Sequence, residues 1–91
     1  MSVTVYIPSP FRGMTGNRAE VKVEAGTVAE LLDNLDHQFP GVHDLIYNSE
    51  HKIPIHINIY VNNQEIGALQ GDGTRLNEGD QVAIKIGRAH V

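Results

Sequence analysis

The last five residues of the chain carry the group best suited to chemistry, an α-carboxylate at the end of a short tail. A tail of low bulk can carry such a carboxylate into the active site of a partner enzyme, because glycine lets a backbone approach a neighbouring surface closely. The tail follows the last predicted strand and is the first candidate site. Its residues are Gly87, Arg88, Ala89, His90 and Val91.

The five histidines are the residues that a metal site would use. His51 and His56 are close in sequence, but Pro54 and a polar loop separate them. His37 and His43 lie on either side of the end of the predicted helix. The chain has no cysteine, and no set of histidines and carboxylates has the spacing of a zinc site. The spacing therefore predicts exposed histidines and no metal site.

The carboxylates do not form a catalytic pair in the sequence. Glu30, Asp33 and Asp36 fall on the polar face of the predicted helix, where a solvated carboxylate is the usual case. The Gly-Asp-Gly segment at residues 71–73 lacks the lysine and the following helix of a phosphate-binding loop. Because no acid, base and nucleophile come together, we expect no catalytic residue, no bound cofactor and no enzymatic activity of the chain by itself.

The composition indicates one small domain of 91 residues. Its net charge is -4 and its seven lysines and arginines are scattered, which argues against a nucleic-acid partner. No apolar run reaches the roughly 18 residues of a membrane span. The first residues alternate like a strand and do not resemble a signal peptide. We therefore expect a cytoplasmic protein with no membrane partner.

Alternation of apolar and polar residues predicts four strands, at residues 3–7, 20–24, 55–62 and 82–86. The first two are joined by a loop rich in proline and glycine, which predicts an antiparallel hairpin. A brief pairing at residues 65–66 would add a fifth strand.

One amphipathic helix is predicted between the second and third strands. Thr27 and Glu30 form a capping box at its start, in which each side chain satisfies the backbone amide of the other residue. Pro40 ends the helix at residue 39. The simplest packing places this helix across one face of a mixed sheet. The first and last strands would then lie side by side and parallel in the centre of the sheet. The apolar stripe of the helix is Val28, Leu31, Leu32, Leu35 and Phe39.

The polar residues of the predicted strands face away from the helix and form a candidate docking surface. Aromatic residues favour interfaces, so a face with two tyrosines suits a protein partner. Ordinary solvent-facing strand residues are the alternative interpretation. The candidate docking residues are Tyr6, His56, Asn58, Tyr60 and Lys85.

The order strand–strand–helix–strand–strand resembles that of the β-grasp, or ubiquitin-like, fold. In sequence the chain is similar to the small sulfur-carrier proteins of the molybdopterin and thiamine pathways, and most of all to the branch that carries sulfur for cysteine synthesis. The similar segments are 3–8 (VTVYIP), the loop at 12–16, the helix at 28–39, 57–62 (INIYVN) and 76–84 (LNEGDQVAI).

This resemblance implies an α+β, β-grasp domain over residues 1–86, with a mixed sheet of four to five strands and one main helix, and a flexible tail at 87–91. In such families an adenylating, E1-like activating enzyme uses ATP to activate the terminal carboxylate. Sulfur then replaces AMP, which gives a thiocarboxylate for a sulfur-acceptor synthase. The implied partners are these two enzymes, and ATP is used by the activating enzyme and not bound by this chain.

The tail departs from the family pattern, since family members end in Gly-Gly and His90 and Val91 stand here instead. Three interpretations follow. The chain is a carrier with an unusual terminus served by an adapted activating enzyme; or it is a non-conjugated β-grasp module that binds or regulates partners; or the coding sequence differs from the functional product. The first interpretation predicts that Val91 is needed for activity.

Overall fold

The computed structural model of the chain describes residues 1–54 and 56–87. In chain order its strands and α-helices are β1 (Ser2–Tyr6), β2 (Glu20–Glu24), α1 (Val28–Gln38), α2 (Val42–Ile46), β3 (Ile57–Val61), β4 (Gln64–Glu65) and β5 (Gln81–Ile86). Turns of 3-10 helix occupy Ser9–Met14, Ile66–Ala68 and Gly71–Gly73.

The strands form one mixed sheet in the order β2-β1-β5-β3-β4. β1 pairs with β2 antiparallel and with β5 parallel, and β5 pairs antiparallel with β3. β3 and β4 form a hairpin through Asn62 and Asn63, whose positive φ values of 50° and 72° suit a two-residue turn. The β-grasp fold and the central parallel pair are confirmed, and β4 supplies the fifth strand.

The core lies between one face of the sheet and α1. Val5, Leu31 and Val82 have no exposed surface, and they come from the two central strands and the helix. Burial of such side chains contributes about 1.5–3 kcal/mol each and is the main force that holds the helix on the sheet. Phe39, the last member of the predicted apolar stripe, is only partly buried at the edge of this core.

The start of α1 differs from the predicted capping box in one contact. The Glu30 N–H donates to Thr27 Oγ1 at 3.1 Å, as predicted. The Glu30 carboxylate, however, accepts from the Gly26 N–H at 2.7 Å and not from that of Thr27. The side chain therefore reaches one residue further back and ties the helix to the end of the preceding strand.

Side chains of α1 also cover the outer edge of β2. Asn34 Nδ2 donates to the Glu24 carbonyl at 2.6 Å, and Gln38 Nε2 donates to the Lys22 carbonyl at 3.5 Å. Backbone groups on an edge strand otherwise remain open to pairing with another chain. These two amides therefore protect the β2 edge.

Candidate functional site

The end of β5 places the start of the tail at the middle of one end of the sheet. Ile86 lies opposite Ile57, and the Gly87 N–H donates to the His56 carbonyl at 2.6 Å. The antiparallel ladder with β3 thus continues through Gly87. Arg88, Ala89, His90 and Val91 lie outside the described residues, so the division into a 1–86 domain and an 87–91 tail stays a prediction.

Pro8 ends the pairing of β1 before β5 ends. The last register pair between the two strands is Tyr6 with Ala83. The next N–H that β1 would offer belongs to residue 8, and proline has none. Beyond Ala83, β5 therefore pairs with β3 alone within the described part of the chain. The side of β5 next to Pro8 is thus left unpaired near the base of the tail, within residues 1–54 and 56–87.

The five candidate docking residues lie on one face of the sheet, opposite α1. Tyr6 and Tyr60 are both in register with Ala83, so one row crosses three strands. Asn58 is opposite Lys85 one step along, and His56 follows at Gly87. The structure thus groups the residues that the sequence placed together, next to the base of the tail.

Lys85 and Tyr60 contact each other on this face. Lys85 Nζ lies 4.8 Å from the centre of the Tyr60 ring, a cation–π contact that stabilises an exposed pair by about 0.5–1 kcal/mol. Tyr6 is 38% exposed, whereas Ile86 alternates with Lys85 along β5 and lies on the other face of the sheet, opposite buried Ile57. The open face therefore offers a cation and accessible ring surface near the base of the tail.

Asp36 does not behave as the solvated carboxylate predicted from its helix position. Its Oδ1 accepts from the backbone N–H of His43 at 2.9 Å and from that of Gly41 at 3.0 Å. These bonds cap the start of α2. The hydrogen bond from His43 is the main reason that the pKa of Asp36 lies below its usual value of 3.8.

Tyr47 anchors the chain after α2 to the opposite loop. The side chain is buried, and its hydroxyl donates to Asp72 Oδ2 at 3.2 Å. Burial, and then the nearby carboxylate of Asp72, raise the pKa of Tyr47 above its usual value. The Gly-Asp-Gly segment is thus a 3-10 turn whose aspartate holds a tyrosine.

Two histidines meet in a way that sequence spacing did not indicate. The rings of His43 and His51 both lie against Tyr47, at centroid distances of 4.6 Å and 4.7 Å. His43 and His51 each lie four residues from Tyr47 in the sequence. This spacing alone does not indicate that the rings meet, because their contact depends on the turn of the backbone after α2. The pairs considered from the sequence, His51 with His56 and His37 with His43, make no mutual ring contact among the described residues.

Two features are absent from the described residues, 1–54 and 56–87. These residues contain no group of three or more histidine, cysteine, aspartate or glutamate residues that could hold a metal ion. They also contain no helix long and apolar enough to cross a membrane.

Similar proteins are known both by sequence and by structure. The sulfur carrier protein CysO of Mycobacterium tuberculosis is 29% identical over 86 residues, which is 92% of this chain and 92% of the relative. A crystal structure of M. tuberculosis CysO has a TM-score of 0.89 at 28% identity and covers 94% of this chain and 99% of that chain.

A second similar protein was solved as part of a complex. A chain of the Amycolatopsis orientalis BexX/CysO complex has a TM-score of 0.89 at 29% identity, with coverage of 98% of this chain and 99% of that chain. The model of the ThiS family matches residues 5–84. Since this match runs from the end of β1 into β5 and includes both helices, the chain belongs to the ThiS family.

Proposed function

We propose that this chain is a ubiquitin-like sulfur carrier, whose C-terminal carboxylate is adenylated and then converted to a thiocarboxylate for cysteine biosynthesis. The observation that carries the proposal is the position of Gly87, whose N–H is bonded to the His56 carbonyl at the end of a central strand. Residues after Gly87 therefore start from a rigid base. Membership of the ThiS family and likeness to CysO support this use of the tail.

The chemistry requires two displacement steps, both in partner enzymes. A carboxylate oxygen of the tail bonds to the α-phosphorus of ATP, and pyrophosphate leaves. A sulfur nucleophile then bonds to the acyl carbon, and AMP leaves with the electrons of the broken C–O bond. The activating enzyme provides the catalytic groups, and this chain provides the acyl group and the surface by which it is held.

The sheet face next to the tail is the proposed docking surface for these enzymes. Tyr6, Tyr60 and Lys85 lie on the face that α1 leaves open, and His56 and Asn58 continue it to Gly87. A partner that contacts this face has the tail within reach. That a similar chain was solved in a BexX/CysO complex supports a role in which the carrier docks on another protein.

This function places the carrier in the cytoplasm with its activating enzyme, where ATP is available. Among the sulfur pathways, cysteine synthesis is favoured over molybdopterin and thiamine synthesis, because the curated relatives are named CysO.

Adenylation is tested by ATP–pyrophosphate exchange catalysed by the cognate activating enzyme. We expect exchange with the intact chain and none with a chain that lacks residues 87–91. No exchange with the intact chain, under conditions where the enzyme activates another carrier, would contradict the proposal.

His90 and Val91 favour a second candidate, the non-conjugated binding module, because they add bulk where the family has glycine. This module would keep the docking face without using the carboxylate. Pull-down of partners from the chain's own cell extract separates the two functions. Full retention of partners together with full sulfur-transfer function after removal of residues 87–91 would favour the module.

A further inference from the structure

We propose that His43 and His51 form a two-histidine binding site for a divalent transition metal of the zinc class. The site lies beside the loop after α2, and its two histidines are not among the candidate docking residues. It is independent of the proposed carrier function, because neither histidine belongs to the surface that presents the carboxylate.

The separation of the two rings suits a shared ion. Their centroids are 5.1 Å apart, and their planes are inclined by 31°. A zinc–nitrogen bond of about 2.0–2.1 Å puts an imidazole centroid roughly 3.2 Å from the ion, so two ligands of a tetrahedral ion have centroids about 5 Å apart. The two imidazoles are therefore spaced as two ligands of one ion would be.

Tyr47 holds both rings in place. His43 stacks on it at 4.6 Å and 28°, and His51 stacks on it at 4.7 Å and 6°. Tyr47 is itself only 7% exposed, and its hydroxyl is bonded to Asp72. Stacking on this buried tyrosine therefore keeps the two imidazoles close to each other.

The backbone of His51 is fixed by the turn that contains it. His51 has a φ of +59°, a left-handed conformation that is uncommon for a residue with a side chain. Asn48 Oδ1 accepts from the N–H groups of Glu50 at 2.9 Å and Lys52 at 3.0 Å, and the Asn48 carbonyl accepts from the His51 N–H. This turn directs His51 back towards α2.

A carboxylate lies beside His43 in the position of an outer partner. Asp44 Oδ1 is 3.6 Å from His43 Nδ1, and the Asp44 side chain is almost fully exposed. A histidine that binds a metal through one ring nitrogen commonly directs the other to a carboxylate. This arrangement leaves Nε2 of His43 as the ligand atom. Because the described residues offer no third protein ligand, water completes the coordination.

The test is calorimetric titration of the untagged full chain with zinc chloride. We expect one saturable site per chain in the natural protein. His43→Gln and His51→Asn should each weaken binding at least about tenfold, because loss of a ligand costs no less than loss of an outer partner. Asparagine tolerates the left-handed backbone at residue 51, so the turn is kept. His37→Gln, on the exposed surface of α1, is the matched control and should bind as the natural chain does.

Thermal melts give a second readout. Zinc should raise the melting temperature of the natural chain and of His37→Gln, and should leave that of the double variant His43→Gln/His51→Asn unchanged. Circular dichroism without zinc verifies that the variants are folded. Absence of saturable zinc binding to the natural chain, or equal affinity in all the variants, would overturn the proposal.

Discussion

Gly87 follows the last strand and begins the tail, and the atoms around it do not require glycine at this position. A Cβ atom at this position would meet Asn58 Nδ2 at 3.5 Å and the His56 carbonyl at 3.6 Å, which are ordinary contact distances. A requirement for glycine here would therefore come from the channel of the activating enzyme and not from the fold.

Gly87→Ala separates these two requirements. We expect the free energy of unfolding in urea to change by less than about 0.5 kcal/mol, as for surface substitutions in general. We expect adenylation to fall by about tenfold or more, because added bulk displaces the carboxylate from its reacting position. Gly13→Ala, where a Cβ would meet open space, is the control. A large loss of stability in Gly87→Ala would show that the fold itself needs this glycine.

Asp36 caps the start of α2, and its ionisation makes the stability of the fold depend on pH. Its pKa in the folded state is below the usual value of 3.8, chiefly because the His43 N–H donates to the carboxylate. The contribution of ionised Asp36 to the free energy of unfolding is therefore present above pH 3.8, and it is lost as the pH falls through the folded-state pKa.

Asp36→Asn should reduce this pH dependence, because the amide oxygen still accepts hydrogen bonds but carries no charge. The measurement is the free energy of unfolding at about pH 7 and about pH 3. Asp33→Asn, an exposed aspartate of the same helix, should keep the pH dependence of the natural chain. An unaltered pH dependence in Asp36→Asn would show that the cap is not coupled to stability.

Two side-chain amides on α1 protect the edge of β2, and substitution of each one measures its contribution to stability. Asn34→Ala should lower the free energy of unfolding by about 1 kcal/mol, since its bond of 2.6 Å satisfies the Glu24 carbonyl. Gln38→Ala removes a longer hydrogen bond of 3.5 Å and should lower the free energy of unfolding by a smaller amount. Urea denaturation of the two variants measures the difference, and a larger cost for Gln38→Ala would be the contrary result.

The elements themselves could be predicted from the sequence because their patterns are local. Alternation at residues 3–7 and 82–86 and the stripe from Val28 to Leu35 each reflect one buried face. The parallel pairing of β1 with β5 followed from the helix between them in the chain. Phe39 was predicted as a full member of the stripe, but it caps the helix and is only partly buried.

The contacts that sequence reasoning missed all depend on where the backbone turns. Asp36 caps α2 because Gly41, with a φ of 104°, turns the chain back on the end of α1. His43 and His51 meet because His51 is left-handed. Glu30 reaches Gly26 because the chain bends just before the helix. The spacing of side-chain types along the sequence does not show where the backbone turns. These contacts could therefore not be predicted from the sequence and are seen only in the structure.

The helix covers one side of the sheet and leaves the other side open. Because β5 is central, its end and the open face would meet the proposed activating enzyme together. Lys85→Glu should weaken binding of the activating enzyme by about tenfold, because it removes the cation over Tyr60 and reverses its charge. Lys52→Glu makes the same change of net charge in an exposed loop and is the control. Equal binding by both variants in surface plasmon resonance would remove the face from the docking surface.

A sulfur carrier of the proposed kind acquires a thiocarboxylate at the end of its tail. Intact-mass spectrometry of the chain, incubated with ATP, sulfide and the cognate activating enzyme, detects this change. We expect a mass gain equal to the replacement of one oxygen by sulfur, located by fragmentation to the C-terminal residue and absent when ATP is omitted. An unchanged mass, with an activating enzyme shown to be active in the same mixture, would rule out the proposed carrier function.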